Sequence, residues 1–237
     1  MRDTTLPVPP AVGAAWSGSR TLLLAGVGVV LTLLWNTPVV WPLKILVVFF
    51  HELSHGLAAI ATGGSVVRIE VVAAEGGVCL TRGGNAFLTL TAGYLGSLAW
   101  GAAALVVAAR TRRDRELLLG LGAVIVVAAL LWVRPLLSFG FGFHLVAGAA
   151  LVACAAWLPE IACDWLLRVF GLASCLYVVP DIYSDTIARS GQISDARLLA
   201  GLTGIPTVVW GALWILLALA VLAVTLRAAI RPRPAGP

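Results

Sequence analysis

The amino-acid sequence predicts an all-α polytopic membrane bundle of about six to seven transmembrane helices, with a small β-hairpin between the second and third helices. Composition is the first reason: 60% of the 237 residues are hydrophobic and only 11% are charged, whereas a soluble domain averages roughly 25% charged residues. The second reason is a series of long apolar runs separated by charged or proline-containing breaks, and the third is a stretch rich in β-branched residues. There is no room for a separate soluble domain, so we expect residues 1–237 to form a single membrane-embedded domain.

The apolar runs define the helices, because a spanning helix needs roughly 20 predominantly apolar residues. The predicted spans are residues 21–35, 39–62, 86–109, 117–133, 136–158, 169–188 and 204–226, between an N-terminal tail at 1–20 and a basic, proline-rich tail at 227–237. The sixth span is bounded by the charges of Arg168 and Arg189, and it contains Asp181 and Asp185. An alternative span at 161–179 would leave Asp181 outside the apolar core.

A different pattern lies between the second and third spans, at residues 65–84. Residues 65–72 are rich in β-branched side chains that alternate with charged ones, and residues 78–81 form a second short strand. Glu75-Gly76-Gly77 supplies a turn between them, so the segment predicts a β-hairpin. Strand edges cannot face lipid, and we therefore expect protein or a watery cavity to cover this hairpin.

The formal charge of +5 does not indicate a nucleic-acid partner. The basic residues sit between the apolar runs and at the C-terminus, as they do at the flanks of membrane helices. They are not interleaved with aromatic residues in the manner of a nucleic-acid groove. The predicted surroundings are therefore the lipid bilayer, without nucleic acid.

The second span carries a motif typical of zinc peptidases, with His51 and Glu52 followed by His55. Two histidines four residues apart lie on one face of a helix, so both imidazoles can reach the same ion. Zinc lowers the pKa of a coordinated water to about 7, which provides a nucleophile at neutral pH. Glu52 lies beside the histidines and is the candidate general base, which then passes the proton to the leaving amine.

Membrane burial strengthens this interpretation. An ionisable residue at the middle of a bilayer costs about 2.5–3.5 kcal/mol on insertion scales. Three such residues within five positions indicate a compensating partner, and a divalent cation is suitable. A polar cluster that only forms hydrogen bonds between helices is the alternative.

A catalytic zinc ion usually takes three protein ligands, so a third ligand is expected from another span. Asp181 is the predicted ligand. Counting about 1.5 Å per residue from the flanking Lys44 and Arg168 places Asp181 at nearly the same depth as the two histidines. Pro180 is expected to disturb the helix just before it. Asp185, one turn further on the same face, is the alternative ligand or a partner that orients a ligand histidine.

Four stretches of the sequence together resemble the M50 metallopeptidases, the site-2-protease class of intramembrane zinc proteases, and most closely their M50B-like branch. They are HELSHGLAAIATGG from His51, EGGVCLTRGG from Glu75, LTAGYLGSLAWG from Leu90 and PDIYSDTIARSGQISDA from Pro180. Many zinc peptidases share the first motif, but the four in this order are much more specific. With their apolar surroundings they cover residues 45–109 and 177–214, about half of the chain.

The resemblance implies a multi-pass protein of the bacterial plasma membrane that holds zinc through His51 and His55, with Glu52 as general base. It implies a third ligand from an aspartate on a late span, which matches Asp181. Better-known members carry an Asn-Pro and Leu-Asp-Gly type signature around that aspartate, whereas this sequence has PDIYSD from Pro180. The implied activity is hydrolysis of peptide bonds in membrane-anchored protein substrates.

The resemblance also gives the hairpin a role. An equivalent β element lies near the site in this family, and a substrate helix must unwind before water can attack its amide. Residues 65–81 are therefore expected to hold an extended substrate segment by strand addition.

Two other functions fit part of the same pattern. An ion- or proton-coupled transporter would also place histidine and carboxylate groups within the membrane, although the repeated broken helices of many transporters are not visible. A metal-binding homologue without activity would serve as a scaffold, although an intact Glu52 favours an enzyme.

Overall fold

The computed structural model describes residues 12–189 and 193–230, with the backbone alone for residues 12–20. The helices are α1 (Val12–Leu33), α2 (Trp41–Ala61), α3 (Ala86–Arg110), α4 (Asp114–Trp132), α5 (Phe139–Trp157), α6 (Glu160–Tyr183), α7 (Asp195–Thr203) and α8 (Thr207–Ile230). A π-helical turn, Ser184–Ala188, continues α6. The strands β1 (Ser65–Val72) and β2 (Gly76–Arg82) pair antiparallel between α2 and α3.

Within the described residues, six helices are long and apolar enough to cross a membrane: α2, α3, α4, α5, α6 with its π-helical turn, and α8. The described apolar part of α1, Thr21–Leu33, is shorter. The predicted fold class, a helical membrane bundle with one β-hairpin after the second helix, is therefore confirmed.

Helix α2 is the central element, and it packs against α3, α6 and both strands. Pro42 lies in its first turn, where backbone N–H groups have no helical partner to lose. Residues 44–50 are buried without interruption, which is the pattern of a helix enclosed on every side. Gly63, with a φ of +86°, turns the chain out of the helix towards β1. The motif of the second span is thus placed inside the protein.

The hairpin turn is tied to α2 by an ion pair. Glu75 has a φ of +63°, a conformation that few residues other than glycine adopt. Its two carboxylate oxygens each lie 3.0 Å from Nζ of Lys44. The pair fixes the turn against the N-terminal half of α2.

The two strands of the hairpin have different surroundings. The backbone N–H of Arg134 donates to the carbonyl of Ile69 at 3.0 Å, and Val133 forms a parallel bridge to the same residue of β1. Gly140 at the start of α5 lies so close that a Cβ there would be 2.6 Å from the carbonyl oxygen of Val71. The connection between α4 and α5 therefore covers β1, whereas β2 contacts α2 and lines an open cavity.

The sixth span is longer than either predicted range, because α6 and its π-helical turn form one run, Glu160–Ala188. The predicted start at residue 169 is wrong. Arg168, the boundary charge of that prediction, forms an ion pair with Asp164 one turn earlier, with Nε 2.8 Å from Oδ1. Paired in this way, the charge does not end the helix. Pro180 lies within α6 and does not end it either.

Helix α7 does not correspond to any predicted element. Ser194 caps it by accepting a hydrogen bond from the backbone N–H of Arg197 at 3.3 Å, and Gly204 ends it with a φ of +74°. Its nine residues bury Ala196 and Leu199 against α3 and α8. Asp195 is the first residue of this short helix.

Candidate metal centre

Two histidines of α2 and the first residue of α7 converge on one point. Nε2 of His51 lies 2.8 Å from Oδ2 of Asp195, and Nε2 of His55 lies 3.0 Å from the same oxygen. One candidate ligand atom from each of the three residues lies within 4.8 Å of the other two. The spacing of the two histidines brings them to one helical face, and α7 folds back to meet them.

Contacts from α3 hold both imidazoles in place. Nδ1 of His55 lies 2.6 Å from the carbonyl oxygen of Thr89; since a carbonyl only accepts, Nδ1 carries the proton and Nε2 is left for a metal. The ring of Tyr94 meets the ring of His51 edge-on, with centroids 4.7 Å apart. Gly93 lies against both imidazoles, and a Cβ there would overlap their Nε2 atoms. Helix α3 can approach the histidines only because position 93 has no side chain.

The carboxyl group of Asp195 is ionised at neutral pH. Burial alone raises its pKa, but the imidazoles of His55 and His51 outweigh burial and hold the pKa below its ordinary value. An ionised carboxylate beside two imidazole nitrogens can bind a cation that all three groups share.

Glu52 extends from the same turn of α2 towards the hairpin. It is only 6% exposed. A Cβ on Gly77 of β2 would lie 2.7 Å from Oε1 of Glu52, and the backbone N–H of Cys79 donates to the carboxylate. The glutamate therefore lies between the histidines and β2.

Cys79 does not add a ligand to this group. Burial raises the pKa of its thiol to about 12, and the carboxylates of Glu52 and Asp195 act in the same direction. The group whose ligand atoms converge consists of His51, His55 and Asp195 without Cys79, and a thiol with a raised pKa is a weak nucleophile at neutral pH.

The three converging side chains fit a zinc ion. Two imidazole nitrogens and one carboxylate oxygen form a donor set that catalytic zinc sites use while keeping a fourth position open. A carbonyl that accepts from the far nitrogen of a ligand histidine, as Thr89 does from His55, is a regular feature of such sites. The open side is a cavity of about 820 Å³, lined by the histidines, Glu52 and residues 76–81 of the hairpin.

Asp181, the predicted third ligand, is not part of the converging group. Its side chain lines the same cavity and lies close enough to His51 for an electrostatic interaction. The carboxylate oxygen that meets both imidazoles belongs to Asp195 instead. The depth estimate considers only residues that lie within a span. Asp195 lies instead on α7, which follows the sixth span and folds back towards α2.

Asp185, the alternative ligand, binds other partners. Its Oδ2 accepts from the hydroxyl of Tyr94 and its Oδ1 accepts from Arg189, both at 2.8 Å. Its backbone carbonyl accepts from the hydroxyl of Ser194 at 3.4 Å, directly before Asp195. Asp185 is therefore linked both to the tyrosine that packs on His51 and to the start of α7.

The sequence contains a signal for Asp195. Ser194 followed by an acidic residue is a typical helix start, and these two residues stand near the end of the fourth stretch that carries the resemblance. An N-cap at this position predicts a short helix, although it does not predict where that helix packs.

Comparison with known families agrees with this geometry. The family model described as Peptidase M50B-like matches residues 24–225. The chain belongs to the M50B-like peptidases. The resemblance carried by the four motifs is confirmed, and with six candidate membrane helices this M50B-like peptidase is an integral membrane protein. A search of curated proteins and a search of solved structures return no match.

Proposed function

We propose that this M50B-like peptidase is an intramembrane zinc endopeptidase that hydrolyses peptide bonds of membrane-anchored protein substrates. The observation that carries the proposal is the convergence of His51, His55 and Asp195 at the wall of a cavity, with Glu52 beside them. In an ion path, polar groups are expected to be spread along a route through the membrane. Here three candidate ligand atoms meet at one point, and the carboxylate of Glu52 remains free to act on water.

The residues divide the reaction between them. Zinc, when it is bound by the three ligands, supplies a Lewis acid that activates water and polarises the substrate carbonyl. Glu52 accepts the proton of the water and returns it to the leaving nitrogen. Contact with Gly77 and the hydrogen bond from Cys79 keep the carboxylate oriented towards the cavity.

Strand β2 supports a role for the hairpin in substrate binding. The outer edge of β1 is covered by Val133 and Arg134, whereas β2 lines the cavity. A peptide segment added to β2 would pass Glu52, because Gly77 is in contact with that residue. Backbone groups of β2 would then replace the hydrogen bonds that a substrate helix loses when it unwinds.

Proline at the β2 edge is expected to weaken cleavage. Thr81 is two residues from Cys79, whose N–H points towards Glu52, so the N–H of Thr81 points to the same side. Thr81→Pro removes this donor, and one hydrogen bond contributes roughly 1 kcal/mol, or about fivefold in rate. The measurement is cleavage of a single-span reporter by protein with a full zinc content.

Val67→Pro is the matched control, because Val67 lies at the irregularity in β1 between Val66 and Arg68, where a missing donor is tolerated. Equal losses in the two variants, or no loss in Thr81→Pro, would exclude strand addition at β2.

The proposed activity is tested directly by metal removal. Purified protein in lipid vesicles is expected to cleave a single-span reporter peptide, to stop when a zinc chelator is added, and to recover with zinc but not with magnesium, which prefers oxygen ligands. Cleavage that is insensitive to the chelator, or zinc-loaded protein that conducts ions through Glu52 and cleaves nothing, would refute it.

A further inference from the structure

One carboxylate of the cavity has no role in the proposed reaction. Five acidic side chains line the cavity: Glu52, Glu75, Asp181, Asp185 and Asp195. Lys44 pairs with Glu75 at 3.0 Å, and Arg189 pairs with Asp185 at 2.8 Å. Asp195 meets the two histidines and Glu52 acts as base. Asp181 remains.

Among the described side chains, those of residues 21–189 and 193–230, none forms an ion pair or a hydrogen bond with the Asp181 carboxylate. The segment 190–192 is Ser-Gly-Gln and carries no charge. Arg189 and His51 act on this carboxylate electrostatically without forming an ion pair with it. The carboxylate is therefore available to a positively charged group that enters the cavity.

The charge of the whole cavity points the same way. Among the described residues, the lining carries five acidic side chains but only two basic ones, Lys44 and Arg189. Asp181 lies close enough to His51 for an electrostatic interaction, so the acidic wall reaches the metal centre. A cavity with this balance attracts positively charged ligands.

Aromatic rings continue the wall beside Asp181. Tyr177 lies one helical turn earlier on the same face, and its ring centroid is 5.5 Å from that of Trp35. Trp35 already has an ammonium group over its ring, since Nζ of Lys44 lies 5.5 Å from the ring centroid. The wall beside Asp181 thus combines a carboxylate with aromatic faces, the two kinds of group that bind an alkylammonium or guanidinium group.

The distance along α2 limits where such a group would lie on a bound peptide. Lys44 and His51 are seven positions apart, which is about 10 Å along the helix. An extended peptide covers that distance in about three residues. Lysine and arginine are common at the ends of membrane spans, so a substrate can present one at this position.

We propose that Asp181, with the rings of Tyr177 and Trp35, forms a subsite that binds a lysine or arginine side chain of the substrate within about three residues of the cleaved bond. This specificity rests on the proposed peptidase function, but the binding it describes can be measured without cleavage.

The test uses zinc-loaded Glu52→Gln protein and fluorescent single-span peptides that differ only in having lysine or norleucine at one position, moved stepwise along the span. At the best position lysine is expected to bind about tenfold more tightly than norleucine. Adding Asp181→Asn is expected to bring this ratio to about one, whereas Asp181→Glu retains a preference. Glu160→Gln, an exposed acid on α6 away from the cavity, is the matched control and keeps the full ratio.

A ratio near one in the parent protein, a ratio that Asp181→Asn does not change, or loss of zinc from Asp181→Asn would overturn the subsite. Different outcomes would refute the peptidase function and the subsite. If wild-type protein cleaves neither peptide while the Asp181-dependent preference persists in binding, hydrolysis is refuted and the subsite stands. If the wild type cleaves both peptides equally well and binding shows no preference, the subsite is refuted and hydrolysis stands.

Discussion

Asp195→Ala protein is expected to purify without zinc and without peptidase activity. The carboxylate oxygen that this change removes lies 2.8 Å from Nε2 of His51 and 3.0 Å from Nε2 of His55, where an ion would sit among all three. Two imidazoles alone are fewer ligands than zinc sites use. The loss of zinc affinity is expected to exceed the roughly 10–100-fold that follows removal of a group merely hydrogen-bonded to a ligand. Metal content by mass spectrometry and zinc affinity by competition with a chelator measure it.

Asp181→Ala is the matched control for this prediction, because Asp181 lines the same cavity without belonging to the converging group. It is expected to keep one zinc per chain. Retained zinc in Asp195→Ala together with lost zinc in Asp181→Ala would reverse the assignment and restore the ligand predicted from the sequence.

Glu52→Gln is expected to separate metal binding from chemistry. Glutamine keeps the size of the side chain in its buried place against Gly77, but it cannot accept a proton from water. Cleavage is expected to fall by roughly 10²- to 10⁴-fold, the contribution of a positioned general base, while zinc content stays at the wild-type level. Reporter cleavage and metal analysis on the same preparations test both parts.

Glu70→Gln provides the comparison on the neighbouring hairpin. Glu70 pairs with Arg68 on β1 and does not line the cavity, so the same chemical change there is expected to leave cleavage unaltered. Active Glu52→Gln protein would remove this residue from the reaction, and Glu52→Gln protein without zinc would mean that it holds the ion.

The bundle and its hairpin could be predicted because their signals are local. A spanning helix is set by the length of its own apolar run, and the hairpin by its strand pattern and the turn Glu75-Gly76-Gly77. His51, Glu52 and His55 are equally local, since four residues of helix bring the two imidazoles together. For these features the sequence contains all of the geometry that is needed.

The limits of the sixth span depend on pairing, which composition does not reveal. Arg168 reads as a boundary when it is counted as a free charge, but Asp164 neutralises it one turn away inside α6. The helix therefore continues through it, and the span includes both ranges that the sequence allowed.

Asp195 could not be placed from the sequence because its position is a tertiary property. Ala196 and Leu199 of α7 pack between α3 and α8, and this packing brings the helix back towards α2. Nothing local to α7 specifies that site. Asp181 and Asp185 are the carboxylates within the sixth span. Both line the cavity in the structure, but neither belongs to the group that converges with the histidines.

The slight burial of α7 gives the proposed zinc ion a structural role as well as a chemical one. Leu199 is the only large side chain that this helix encloses among its described residues, and burying one leucine is worth roughly 1.5–3 kcal/mol. A zinc site can contribute more stabilisation than that. The ion would therefore hold α7 against α2, although His55 and Asp195 are 140 residues apart in the chain. Zinc binding and docking of α7 are then thermodynamically linked, so a change that weakens the docking of α7 also lowers the affinity for zinc.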